Sequence, residues 1–148
     1  MSKTFTGRPI LAGSCQGEAL VSHGGLNTLA SYQKAVVFQS KKAICSDQNN
    51  PDLYKKDMTD KIICLPQTIG STTGGLVMMT ICSQGIQPKA FLFADHIDSL
   101  AAAGVILSDI WLEKRIIVVD QLGSDFLDAI QTGQTVSITE EGIITIND

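Results

Sequence analysis

Short stretches that are apolar at every consecutive position leave a chain few ways to fold. Ala90-Phe91-Leu92-Phe93-Ala94, Gly104-Val105-Ile106-Leu107 and Arg115-Ile116-Ile117-Val118-Val119 are runs of this kind. A strand with one wet face alternates apolar and polar side chains, whereas an unbroken apolar run hides both faces. The three runs therefore predict strands held between two apolar layers. Shorter β-like runs surround them: Arg8-Pro9-Ile10-Leu11-Ala12, Glu18-Ala19-Leu20-Val21-Ser22, Ala35-Val36-Val37-Phe38 and Lys61-Ile62-Ile63-Cys64-Leu65. Thr135-Val136-Ser137-Ile138-Thr139 and Gly142-Ile143-Ile144-Thr145-Ile146 alternate around Glu140-Glu141-Gly142 and read as a terminal hairpin.

Helices are fewer. They are expected after Gly70, over residues 97–103 with Ile97, Leu100 and Ala101 at helical spacing, and over 124–131 with Ser124 as cap. The stretch from Asp95 to Leu107 reads as helix, Gly stop, strand, and Ser124 to Val136 repeats that unit loosely. Ser46-Asp47-Gln48-Asn49-Asn50-Pro51-Asp52 is a dense set of turn formers and reads as one exposed loop. Strands with a few packed helices give a mixed α and β barrel or sandwich with helices to one side. With 148 residues, one domain over 1–148 is the natural count.

Composition narrows the function. The chain is 44% hydrophobic and 18% charged with a mean hydropathy of +0.17, which excludes intrinsic disorder. A net charge of -4 without a Lys/Arg cluster gives no footprint for a nucleic acid. No apolar stretch approaches the roughly 20 residues that span a bilayer, and Met1-Ser2-Lys3-Thr4 opens no hydrophobic signal core, so a soluble, cytoplasmic protein is expected. So little charge on so apolar a chain also points to a surface partly covered by a partner.

Cys15, Cys45, Cys64 and Cys82 stand far apart and form no C-x-x-C, so no metal site is predicted, and Cys64 and Cys82 read as core residues. The stretch Lys61 to Met79 is richer in chemistry: a buried strand ends at Pro66, and Gly70-Ser71-Thr72-Thr73-Gly74-Gly75 then opens an apolar segment of helical character. Backbone N–H groups at a helix start favour an anion, the glycines permit close approach, and the hydroxyls add donors. The same residues serve equally as an N-cap with tight helix packing, and the two readings are compatible. The stretch is neither a Walker loop, a G-x-G-x-x-G nor a G-x-S-x-G. His23-Gly24-Gly25-Leu26-Asn27 offers a ligand-facing His or Asn, and His96 sits beside Asp95 and Asp98 at a helix start; a solvated or capping role accounts for either histidine. Asp52, Asp57 and Asp60, near Lys55, Lys56 and Lys61, read as a solvated face. Trp111 is expected in the core or an interface.

Taken in order, Gly7-Arg8-Pro9-Ile10-Leu11-Ala12-Gly13, then His23 to Asn27, then Ile63-Cys64-Leu65-Pro66 with Gly70 to Gly75, then the helix-Gly-strand after Ala94 resemble the small subunit of the aconitase X family over nearly the whole chain. The resemblance implies an α+β fold, a swivelling β/β/α barrel that is inactive without a large subunit. The large subunit would carry an iron–sulfur cluster on its own cysteines, the iron acting as Lewis acid on the leaving hydroxyl, with the substrate in the cleft between the subunits. Ser71 matches the family's base, which removes the proton next to a carboxylate; Gly70, Thr72 and Thr73 would supply the stabilising field, with Asn27 and His23 as further substrate contacts.

Two departures bear on the substrate. Thr73 stands where the aconitase run has Arg, and Gln67-Thr68-Ile69 lacks the arginines of members that handle the phosphorylated substrate. That favours cis-3-hydroxy-L-proline over mevalonate 5-phosphate. The competing class is a non-catalytic module that binds a small carboxylate.

Overall fold

A computed structural model describes residues 2–70 and 72–147. Its strands are β1 (Lys3–Thr6), β2 (Arg8–Leu11), β3 (Cys15–Val21), β4 (Leu26–Asn27), β5 (Ile62–Leu65), β6 (Thr68–Ile69), β7 (Ala90–Phe93), β8 (Ile117–Asp120), β9 (Thr135–Ile138) and β10 (Ile143–Asn147). The helices are α1 (Thr28–Val37), α2 (Gly74–Gln84), α3 (Ser99–Trp111) and α4 (Ser124–Ala129).

Eight strands form one sheet in the order β1-β10-β9-β3-β5-β7-β8-β2. The two ends of that order, β1 and β2, are neighbours in sequence, separated only by Gly7, so the sheet curls nearly into a barrel. Gly7 makes the corner. Its N–H donates to the Gly142 carbonyl at 3.0 Å, and a Cβ there would stand 2.6 Å from the Asp120 carbonyl oxygen. β3, β5, β7 and β8 run parallel, while β1, β10, β9 and β2 pair antiparallel, including the expected β9–β10 hairpin.

Each central strand alternates between two cores. Ile62, Cys64, Ala90, Leu92, Ile117 and Val119 face the barrel interior with Phe126 and Val136. Ile63, Leu65, Phe91, Phe93, Ile116 and Val118 face the layer of α1, α2 and α3. This two-sided burial is what the unbroken apolar runs require.

Two expected strands are helical instead. Ala35-Val36-Val37-Phe38 ends α1, whose buried stripe is Thr28, Ser31, Tyr32 and Ala35 at i, i+3, i+4 and i+7. That stripe is polar or small, so hydrophobic periodicity does not reveal it, and Val37 and Phe38 at its end face solvent. Gly104-Val105-Ile106-Leu107 lies inside α3, which runs on to Trp111; Gly104 is a packing notch rather than a stop. Nor is the 46–52 segment an open loop. Asp47 and Asn50 are buried, their side chains accept from the N–H groups of Asn49, Asp52 and Leu53, and Asn50 Nδ2 donates to Ser22 Oγ at 3.0 Å. Trp111 is exposed rather than in the core.

Candidate active site

In sheets with parallel strands, ligands gather at the strands' carboxyl ends, where the connecting loops meet helix N-termini. Here the loops after β3, β5 and β7 lead into α1, α2 and α3. The short β4 and β6 join the first two loops in parallel, pairing Leu26 with Thr68 and Asn27 with Ile69. Asn27 caps α1 through Oδ1, which accepts from Ala30 N at 3.1 Å. Asp98 caps α3: Oδ2 accepts from Leu100 N and Ala101 N, both at 3.0 Å, and Oδ1 accepts from the Thr68 hydroxyl. That last bond ties the loop after β5 to the loop after β7.

Gly70 closes the constellation. Its φ of +112° suits glycine, and a Cβ would meet Asn27 Oδ1 at 2.8 Å. Between the loops lies a cleft of about 240 Å³ lined by Thr28, Thr68, Gly70, Gly74, Asp98 and Leu100. Its electrostatics are unequal. Side chains cap α1 and α3, and the Asp98 carboxylate offsets the positive end of α3. The Thr73 side chain does not cap α2, and the start of that helix, with Gly74 in the lining, brings its positive dipole end to the cleft.

A family model described as the aconitase X swivel domain matches residues 4–146. The chain belongs to the aconitase X swivel domain family. Curated relatives are named phosphomevalonate dehydratase small subunit: one from Methanosarcina mazei is 28% identical over 145 residues, covering 96% of this chain and 90% of the relative. Another, from Thermococcus gammatolerans, is 27% identical over 143 residues, covering 96% of each chain. In fold, the chain superposes on a chain of the crystal structure of Thermococcus kodakaraensis aconitase X in its holo-form with a TM-score of 0.82 at 24% identity, covering 99% of each chain. A solution NMR structure of a protein described as UPF0107 gives 0.77 at 22% identity, covering 99% of this chain and 100% of that one. The expected swivelling β/β/α architecture is therefore the observed one.

On this swivel domain, Gly70 lines the cleft and Asn27 lies against it at the start of α1, while Thr72 and Thr73 are exposed just before α2 and, like Asn27, are not part of the cleft lining. Ser71 lies outside the described residues. His23 is exposed and turned to the 46–52 segment: its N–H donates to Asp52 Oδ2 at 2.7 Å and its Nδ1 lies 3.3 Å from the same oxygen. His23 does not line the cleft. Thr28, Thr68 and Asp98 do, and reasoning along the sequence did not single them out as site residues. Asp98 three residues before Ala101, at the start of an apolar run, was the one local signal, that of an N-cap.

A larger cavity of about 530 Å³ lies at the other end of α1, rimmed by Lys34, Lys41, Lys42 and Lys55. It is remote from the helix N-termini and from the loop after β5. Among the described residues no three metal-ligating side chains come together. Cys45, Cys64 and Cys82 are buried and Cys15 half-buried, and burial pushes all four thiols up, away from the thiolate a metal requires. These residues do not fit an iron–sulfur cluster. Among the described residues no helix is long and apolar enough to cross a membrane.

Proposed function

We propose that this chain is the small subunit of an aconitase X-type dehydratase, that it supplies Ser71 as the base, and that its substrate is mevalonate 5-phosphate. The observation that carries the reading is the cleft where the starts of α1, α2 and α3 converge beside Gly70. In such a dehydration the Ser71 alkoxide takes the proton from the carbon next to the carboxylate. The electron pair left behind forms the new double bond as hydroxide departs from the adjacent carbon. Proton and hydroxide together make the water that is lost. Charge grows toward the carboxylate as the proton leaves, and oriented N–H groups that need no reorganisation stabilise it. The same field makes a serine alkoxide tolerable. Any cluster would belong to the large subunit, since among the described residues of this chain no three metal-ligating side chains come together.

The relatives' names favour the phosphorylated substrate. The neutral Gln67-Thr68-Ile69 loop is the feature that favours cis-3-hydroxy-L-proline. The test is to reconstitute the chain with its large subunit and assay dehydration of both compounds. Faster turnover of mevalonate 5-phosphate supports the proposal, and faster turnover of cis-3-hydroxy-L-proline reverses the substrate assignment. Ser71→Ala is expected to lower kcat by about 10²–10⁴ while the subunits still assemble. An unchanged rate removes Ser71 from the chemistry and leaves a binding module.

A further inference from the structure

The C-terminal end of α1 gathers positive charge in a chain whose net charge is -4. Lys34, Lys41, Lys42 and Lys55 all line the cavity of about 530 Å³ there. Like charges around one hollow repel each other and raise its potential. The ion pairs among the described residues engage Arg8, His23, Lys61 and Arg115, and none of these four lysines. Carboxylates are near in sequence but occupied elsewhere. Asp47 accepts from Asn49 N at 2.9 Å, Asp52 from His23 N at 2.7 Å and Asp57 from Thr59 N at 2.9 Å, and the charge of Asp60 acts on Lys61. Among the described residues no acidic side chain lines the cavity.

A lysine in the last turn of a helix often serves the free carbonyls of that helix. Here these are already taken: Lys34 O accepts from Phe38 N at 3.0 Å, Val36 O from Gln39 N at 3.2 Å, and Ala35 O from Ser40 N at 2.9 Å and Gln84 Nε2 at 3.2 Å. Lys55 makes one internal contact, its Nζ lying 5.4 Å from the centroid of the Tyr54 ring. The walls are held by backbone bonds. Cys45 N donates to Lys56 O and Lys55 N to Cys45 O, both at 2.9 Å, Met58 N donates to Ala43 O at 2.8 Å, and Ser46 N ties this ladder to Ser31 O of α1 at 2.9 Å.

Beneath the lysines the lining is apolar. Ala35 and Cys45 are buried in it, while Phe38 is 74% and Ile44 41% exposed beside Tyr54. Lysine is a compact point charge suited to phosphate, and the arginine fork that matches a planar carboxylate is absent from the lining. We infer that this cavity is a binding site for a small organic phosphate, its phosphate held among the four lysines and its apolar body laid against Phe38, Ile44 and Tyr54. The site shares no lining residue with the cleft at the helix starts and stands independently of the dehydratase reading.

Phenyl phosphate is the probe. The full chain, labelled with ¹⁵N, is titrated at low salt with phenyl phosphate, with inorganic phosphate and with phenol, and amide resonances are followed in parallel with calorimetry. The expected result is a saturable shift confined to residues 34–46 and 54–56, with inorganic phosphate and phenol each binding about tenfold more weakly or worse. Lys41→Gln/Lys42→Gln should weaken phenyl phosphate by about tenfold, whereas Lys3→Gln/Lys114→Gln, which removes the same charge outside the cavity, should change it by less than about twofold. Both variants alter exposed side chains and should keep the circular dichroism of the wild type. No saturation below about 10 mM, or equal weakening by the two double variants, would overturn the inference. Inorganic phosphate binding as tightly as phenyl phosphate would overturn it too, since the apolar lining would then play no part. A glutamate-rich peptide that shifts these resonances where phenyl phosphate does not would assign the lysines to an acidic segment of a protein partner, again against the inference.

Discussion

Gly104→Ala isolates the contact that sets α2 against α3. Intrinsic propensity says the substitution should help, since glycine inside a helix is about 1 kcal/mol less favourable than alanine. The packing says otherwise. A Cβ at Gly104 would lie 2.6 Å from the Gly75 carbonyl oxygen, 2.7 Å from Gly75 Cα and 2.9 Å from Met78 Cβ. Two of these atoms are backbone, so no side-chain rotation relieves them. Restoring ordinary contact at 3.4 Å or more from 2.6 Å moves the helices apart by about 0.8 Å, and overpacking of that kind costs about 1–3 kcal/mol. Subtracting the propensity gain leaves a net loss of up to about 2 kcal/mol. In a chain of this length each kcal/mol shifts Tm by about 2–4 °C, so Tm should fall by up to about 8 °C. Thermal unfolding by circular dichroism reads this directly. Ala103→Gly, exposed on the same helix, is the control and should lose only the propensity, about 1 kcal/mol. Gly75→Ala opens the same gap from the other side, where its Cβ would meet the Leu100 carbonyl oxygen at 2.7 Å. The double variant should therefore lose less than the sum of the two. A rise in Tm for Gly104→Ala would refute the reasoning and show that the helices separate freely.

Two further outcomes follow from local chemistry. Tyr32 is fully buried and its hydroxyl has no hydrogen-bond partner among the described residues; Tyr32→Phe removes an unsatisfied group and should raise stability by about 1 kcal/mol in urea unfolding, a loss of that size showing instead that the hydroxyl is satisfied. Asp109 receives Arg115 Nε at 2.8 Å and Nη2 at 2.7 Å, and these hydrogen bonds hold its carboxyl below the ordinary value of 3.8. A depressed folded pKa gives stability that is present above the unfolded value and lost as pH falls through the folded one. Asp109→Asn should therefore flatten the fall in Tm below about pH 4, and an acid limb identical to wild type would remove the pair from the pH dependence.

The strands were legible because two-sided burial leaves a mark in sequence that little else makes. Ile62 to Leu65, Ala90 to Phe93 and Ile117 to Val119 each alternate between interior and helix layer, so every position had to be apolar. Helices carry a weaker signature. α1 hides behind a stripe of Thr28, Ser31, Tyr32 and Ala35, and its exposed Val37 and Phe38 imitate a strand. Gly104 looks like a C-cap, and only the position of Gly75, 29 residues earlier, explains it. The site divides in the same way. Gly70, Thr72 and Thr73 stood out because glycines and hydroxyls before an apolar run have a local meaning. The bond from Thr68 to Asp98 joins residues 30 apart and has none.

The closure of the barrel and the geometry of the cleft are connected through one buried carboxylate. Asp120, at the carboxyl end of β8, is fully buried and receives Arg8 Nε at 2.9 Å, Arg8 Nη2 at 2.8 Å and Ile97 N at 2.8 Å. A buried carboxylate persists only when its oxygens are satisfied, so these three donors are a condition of the fold. Arg8 opens β2 directly after the Gly7 corner, where the sheet turns back on itself. Ile97 immediately precedes Asp98, which caps α3 and holds Thr68 at the cleft. The seam of the barrel is thereby tied, residue by residue, to the loop that shapes the candidate site. α3 carries that tie outward: its N-terminus is fixed by Asp98 and its inner face is locked on Gly75.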